Sequence, residues 1–261
     1  MEHQEGVYSD EETGRLELIW GDGFLSPGGS AEVGRILGGH SISGSSVLDI
    51  GSGAGGVDIA LVRDHSAAHV LGVDVQQDLV DLATERARAA GLADSISYQT
   101  IEPGSLSFAD ASFDVVFSKD AIIHVRDKEA LYREAFRVLV PGGRLLVSDW
   151  LRGHGDALTP QVEAFVVAAE HGFTMVSRED IEAIVELIGF DGVESDDRRA
   201  WYLGEATEEL ERLHGEMRPE FVDRWGEEAT QAEIEFWEVL VESLTSGALS
   251  PAHVRARKPM S

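Results

Sequence analysis

Between residues 46 and 150, short β-rich runs alternate with stretches of helical periodicity. No other feature limits the fold as much, because this alternation is what a parallel sheet with crossover helices produces. The strand runs are SVLDI (46–50), HVLGVDV (69–75), ISYQTI (96–101), FDVVFS (113–118) and GRLLVSDW (143–150). Between them, QDLVDLATERARAAG (77–91) brings Leu79, Leu82 and Ala83 near one face of a helix that Gly91 ends. DKEALYREAFRVL (127–139) predicts another, with Leu131, Phe136, Val138 and Leu139 available to pack and PGG at 141–143 to stop it.

Past residue 150 the pattern turns helical. SREDIEAIVELIGF (177–190) opens with Ser177 and Asp180 at capping-box spacing, Asp standing where Glu or Gln is usual, and ends at Gly189. Residues 203–245 are Glu-rich and helical in character, with Leu210, Leu213, Met217, Phe221, Trp225, Phe236, Trp237 and Leu240 as inward candidates. AHVRARK (252–258) reads as a last strand. No repeat or low-complexity linker divides the 261 residues, so one domain is expected. Its parts are an N-terminal cover (1–40), a core (41–150), a helical insertion (151–250) and a closing strand and tail (251–261).

Forty-eight acids against 21 bases give a formal charge of −27, spread along the chain as a solvated surface. Such a charge repels phosphate backbones and anionic headgroups, which argues against nucleic acid or a membrane surface as partner. Without cysteine there are no disulfides or thiolate metal sites, and no metal is expected. MEHQEGVYSDEE lacks the apolar segment of a secretory signal, and no apolar run approaches the roughly 20 residues that span a bilayer. A cytoplasmic monomer or homodimer acting on a small molecule is the expectation.

VLDIGSGAGG (47–56) ends the first strand at Asp49 and sets Gly51, Gly53 and Gly56 in a Gly-x-Gly-x-x-Gly turn before a helix. Such a turn lets a ligand approach where a Cβ would collide. Asp74 closes the second strand, placed to accept hydrogen bonds from ribose hydroxyls of either a dinucleotide or another adenosyl cofactor. The features that discriminate are Asp49 ahead of the glycines, SFD (112–114), SKDAIIH (118–124) and RVLVPGGRLL (137–146).

Together these blocks resemble class I S-adenosylmethionine-dependent methyltransferases. The resemblance implies a Rossmann-like, mostly parallel seven-stranded α/β sheet with helices on both faces and a helical lid inserted before the last strand. It implies S-adenosyl-L-methionine as cofactor, with Asp49, Gly51 and Gly53 beside its methionine part. Asp74 follows at the ribose, Glu102 stands where an acid reads the adenine amino group, and Leu25, Ser26, Val75 and Lys119 are further cofactor-binding residues.

A closer resemblance covers nearly the whole chain. YSDEETGRLELIWGDGFLSPGG (8–29), the glycine loop and SKDAIIHV (118–125) are similar to phosphoethanolamine N-methyltransferases. RPEFVDRWGEEATQAEIEFWEVL (218–240) and the final basic strand are more similar to sarcosine/dimethylglycine N-methyltransferases. Matched residue by residue, the reactive cluster is Tyr8, Asp120 and His124. His124 has the intrinsic pKa to take a proton from an amine, Asp120 is expected to orient its ring, and Tyr8 to close the site. The first group surrounds its phosphate with tyrosines and basic residues, whereas this chain has Leu16, Trp150 and Phe173 for tyrosines and His171 for an arginine. A zwitterionic amine of the glycine, sarcosine and dimethylglycine series, in osmolyte synthesis, is then the expected acceptor. Trp150 and Phe173 would face its cation, with His171 beside them and Arg199 or Arg198 at its carboxylate. Trp20, Phe24, Trp225 and Trp237 are expected in the core. Phosphoethanolamine, S-methylation of a thioether such as methionine, a nicotinamide-binding oxidoreductase and a non-catalytic binding module stay open on the sequence.

Overall fold

The computed structural model describes residues 8–104, 106–153, 159–169 and 172–261. Seven strands form one sheet in the order β3-β2-β1-β4-β5-β7-β6. β1 (Ser46–Ile50), β2 (His69–Asp74), β3 (Ile96–Thr100), β4 (Phe113–Lys119) and β5 (Leu139–Asp149) are parallel. β7 (Ala252–Arg257) runs antiparallel between β5 and β6 (Asp191–Asp197). The order reverses between β1 and β4, and at such a switch point a crevice opens beyond the carboxyl ends of the strands.

Side chains of period two sort the sheet's faces. Val47, Val115, Phe117 and Leu146 pack with α2 (Gly29–Leu37), α3 (Gly56–Arg63) and α4 (Gln77–Ala89). Leu48, Val116, Leu145 and Val147 pack with α5 (Lys128–Val138) and α7 (Arg178–Ile188). α7 opens on the expected capping box: Asp180 N donates to Ser177 Oγ at 3.1 Å, and Ser177 N donates to Asp180 Oδ2 at 2.9 Å.

Three boundaries differ from the sequence expectation. β5 begins at Leu139 and absorbs PGG as an irregularity, with Gly142 at φ +82° and a register shift opposite Phe113 and Val115. Proline there ends the helix without ending the strand, because a local bulge spares the missing N–H. β6, DGVESDD, carries no apolar alternation; it is a largely exposed edge strand, where charge blunts pairing with other chains. The helical stretch after residue 198 is two helices, α8 (Arg199–His214) and α9 (Arg218–Ser246), the latter broken at Gly226.

With α1 (Asp10–Trp20) and α6 (Pro160–Ala169), these helices close over the ends of β4 and β5. Leu213, Phe221, Trp237 and Leu240 are buried as expected, and Trp20 and Trp225 pack partly buried beside them. Among the described residues, no helix is long and apolar enough to cross a membrane.

Candidate active site

The turn after β1 is fixed by main-chain bonds. Gly51 N and Ser52 N donate to Val73 O at 2.8 and 3.1 Å. Asp74 accepts from Gly53 N and from Gln76 N, both at 3.0 Å, so its carboxylate holds the turn in place. Gly51 sits at φ +77°, where a Cβ would lie 2.2 Å from the Cβ of Ala121. The N-terminal cover crosses the turn where Gly56 N donates to Gly23 O at 3.0 Å, delivering Leu25 and Ser26 to the same place.

Beneath the turn Asp49 is buried, and burial pushes its carboxyl up to about 7. The Asp49 carboxyl meets that of its neighbour Asp58, which lies in turn beside the Tyr98 hydroxyl. Burial raises Asp74 too, against the amides of Gln76, Gly53 and Val75 that favour its charge. Val75 is 46% exposed, and Glu102 lies exposed just past β3.

Tyr8, Asp120 and His124 come together. They line one cavity of about 360 Å³ with Leu25, Ser26, Trp150 and Phe173. Tyr8 Oη lies 3.4 Å from His124 Nε2. Gln76 grips the backbone of Tyr8 twice, accepting from its N–H at 2.8 Å and donating to its carbonyl at 3.0 Å. Burial, with Glu12, Asp74 and Asp120 adding to it, pushes the Tyr8 phenol above its usual range, so it keeps its proton. His124 stands on a 3-10 turn, Ile122–His124, and packs edge-on against Phe173 at 5.0 Å between ring centroids. Ile123 N donates to Asp149 Oδ1 at 2.9 Å, and Lys128 Nζ donates to the carbonyls of Ile122 and Val125 at 2.6 and 3.2 Å.

Asp120 holds a left-handed conformation, φ +57°, of the kind found where the surroundings over-determine a residue. Its expected role beside the His124 ring is corrected. Its carboxylate accepts instead from Lys119 at 3.0 Å, from Ser148 at 2.7 Å and from Tyr202 at 3.0 Å. The side chain is buried and its oxygens are taken up by these donors, so it braces Tyr202 and Lys119. Burial would raise Asp120, but Lys119 first and then Ser148 and Tyr202 outweigh it and hold the carboxyl below its ordinary range. Lys119 Nζ also donates to Ser26 Oγ, linking the end of β4 to the cover.

Trp150 packs edge-on against Tyr202 at 4.7 Å. Arg199 does not join the cavity: its guanidinium packs beside Gly247, the C-cap of α9, where the negative end of a helix dipole favours a cation. Arg198 pairs with the buried Glu32 at 2.8 Å. His171 lies outside the described residues. The residues missed on the sequence are Gln76, Ser148 and Tyr202, together with Glu12, Arg15 and Glu233 on the cavity wall. Only Glu12 and Arg15 left a signal, an i, i+3 spacing on the first helix.

A methyltransferase-domain family model matches residues 48–147. Phosphoethanolamine N-methyltransferase 1 of Arabidopsis thaliana is 30% identical over 89% of this chain and 46% of its own length. The structure of Haemonchus contortus phosphoethanolamine N-methyltransferase 2 with phosphomonomethylethanolamine and S-adenosylhomocysteine superposes with a TM-score of 0.89 at 28% identity, covering 97% of this chain and 58% of that one. Residues 48–147 match a methyltransferase domain, and the chain resembles the class I S-adenosylmethionine-dependent methyltransferases. The chain spans 46% and 38% of the lengths of two curated plant relatives it matches, so less than half of each. A sarcosine dimethylglycine methyltransferase structure from Galdieria sulphuraria, described as putative, shares its fold with a TM-score of 0.81 at 19% identity, over 98% of this chain and all of that one. These likenesses favour S-adenosylmethionine over a nicotinamide cofactor.

The family's cofactor fits the residues present. It carries a sulfonium and an ammonium. The chain offers carboxyls at Asp49 and Asp74, in no ion pair among the described residues, around the Gly51–Gly53 turn. Asp49, Gly51 and Gly53 would hold the methionine part, and Asp74 and Val75 the adenosine. When bound, S-adenosylmethionine would supply a methyl group already activated for transfer, which leaves alignment of a nucleophile to the chain's own residues.

Proposed function

We propose that the chain methylates the nitrogen of a small amine that also carries an acidic group. The observation that carries this reading is the cavity itself, where the Tyr8 and His124 pair meets aromatic walls and the Glu12 carboxylate. Ring faces and carboxylates attract an ammonium. In this reading His124 accepts the ammonium proton, and Tyr8, kept protonated by its burial, accepts a hydrogen bond from the protonated ring and donates its own to the acceptor. Asp120 fixes Lys119 and Tyr202 behind them.

Two acceptors fit. Phosphoethanolamine is supported by the relatives, whose names specify it. A glycine-series amino acid, with its place in osmolyte synthesis, is supported by charge: among the described wall residues Arg15 is the one Lys or Arg, which suits a carboxylate better than a phosphate dianion. Transfer of labelled methyl from S-adenosylmethionine to phosphoethanolamine, glycine, sarcosine, dimethylglycine and methionine decides between them. The expected result is transfer to an amine, abolished in His124→Ala. Full amine turnover in that variant would sink the proton-acceptor role, and transfer to methionine alone would replace nitrogen with sulfur.

A further inference from the structure

Arg15 and Glu233 meet inside the cavity. Arg15 Nε donates to Glu233 Oε2 at 2.8 Å, and the two side chains are only 18% and 11% exposed. Glu12, Arg15 and Leu16 share one face of α1, while Ala229, Ala232, Glu233 and Phe236 form one stripe of α9, so both elements turn these residues toward the cavity that holds Tyr8 and His124. Helical side chains tilt toward the N-terminus of their helix, and the N-terminus of α1 is the Tyr8 end. Glu233 engages Nε alone. The two Nη groups of Arg15 donate to nothing among the described residues. A guanidinium with one edge steadied and a second pair of N–H groups open is a fork shaped for a carboxylate or a phosphate.

We propose that Arg15 binds the acidic group of the acceptor through its Nη pair, and that Glu233 is the positioning residue that aims it and lowers the net charge of the subsite. The inference rests on the amine reading above for the acceptor's other end. Glu233 neutralises the guanidinium before the acceptor arrives, so a single negative charge is welcome and a second is opposed. Glu12, on the same wall, adds to that opposition, and burial already raises the Glu233 carboxyl with Glu12 contributing. Arg15 and Glu233 thus set which acidic group the site prefers.

The test reads binding and turnover separately. Fluorescence of Trp20 and Trp150, which line the cavity, reports acceptor binding to the S-adenosylhomocysteine complex, with ethanolamine, sarcosine and phosphoethanolamine as probes. Labelled-methyl transfer is run in parallel. Arg15→Ala is expected to weaken sarcosine and phosphoethanolamine about tenfold or more and to leave ethanolamine within about twofold. Arg15→Lys keeps the charge but loses the fork, and should recover less than half of that loss in free energy. Glu233→Gln should shift preference toward phosphoethanolamine, a gain that a merely structural role would not give. Weakening of all three probes alike in Arg15→Ala, or of none, overturns the proposal. So does failure of the unaltered protein to bind either anionic probe. Anion-selective binding that disappears in Arg15→Ala, without methyl transfer to any probe, keeps this inference and removes the amine reading. Turnover with KM for sarcosine and phosphoethanolamine indifferent to Arg15 does the reverse.

Discussion

Gly51→Ala puts a methyl group 2.2 Å from the Cβ of Ala121 at a residue whose φ is +77°. Carbons pack at about 3.5–4.0 Å, so Ala121 must retreat by more than about 1 Å. Its neighbours are Asp120 and the 3-10 turn that carries His124. A side chain in left-handed backbone costs about 1–2 kcal/mol, and overpacking a tight contact about 1–3 kcal/mol, so the variant should lose about 2–5 kcal/mol of unfolding free energy. Ala121→Gly alone should cost less than about 1 kcal/mol. Placed in the Gly51→Ala background it removes the steric part and leaves the backbone part, so the pair should recover about 1–3 kcal/mol relative to the sum of the singles. Urea unfolding of the four proteins of the cycle measures this, and affinity for S-adenosylhomocysteine follows the cofactor side. Strict additivity would refute the reasoning, because it would mean that the two Cβ positions do not compete.

Two further outcomes follow from the groups under the His124 turn. Lys128→Met removes the ammonium that bonds the carbonyls of Ile122 and Val125, leaving them without that donor; it should cost about 1–3 kcal/mol and lower kcat with little change in cofactor affinity. An unchanged kcat would mean that the turn needs no such anchor. Burial pushes the Asp149 carboxyl up to about 7, whereas an unfolded Asp titrates near 3.9. From about pH 4 to 7 the folded chain keeps a proton that the unfolded chain has released, so this group's stabilisation is full below about pH 4 and lost as pH rises through 7. Asp149→Asn should remove a slope of about 1 kcal/mol per pH unit in that window, and parallel stability profiles for the two proteins would contradict it.

The parts of the fold written in local pattern were legible: the parallel strands, the glycine turn and the capping box of α7 each depend on residues a few positions apart. β6 was hidden because its place at the sheet's edge needs no apolar face. The start of β5 was hidden because pairing with β4 overrode a local stop signal at Pro141. In the candidate site, Tyr8, Asp120 and His124, which line one cavity, were singled out through a resemblance carried by spacing. Tyr202 and Ser148, which hold Asp120, lie 82 and 28 residues from it in sequence, and nothing short-range announces them. Arg199 was proposed for a task that geometry gives to neither it nor Arg198, since charge in a sequence does not say which way a side chain faces. Glu233 appeared in a run of acids that reads as a solvated helix face, and only the meeting of α1 with α9 brings it inside.

Gln76 bonds both backbone groups of Tyr8 from the segment in which Asp74 steadies Gly53. The roof of one chamber is therefore fastened to the floor of the other. Whatever loosens the end of β2 slackens Tyr8, and whatever draws Tyr8 inward tightens Asp74 on its turn. A disturbance on either side of this link is then expected to reach the other through one glutamine side chain.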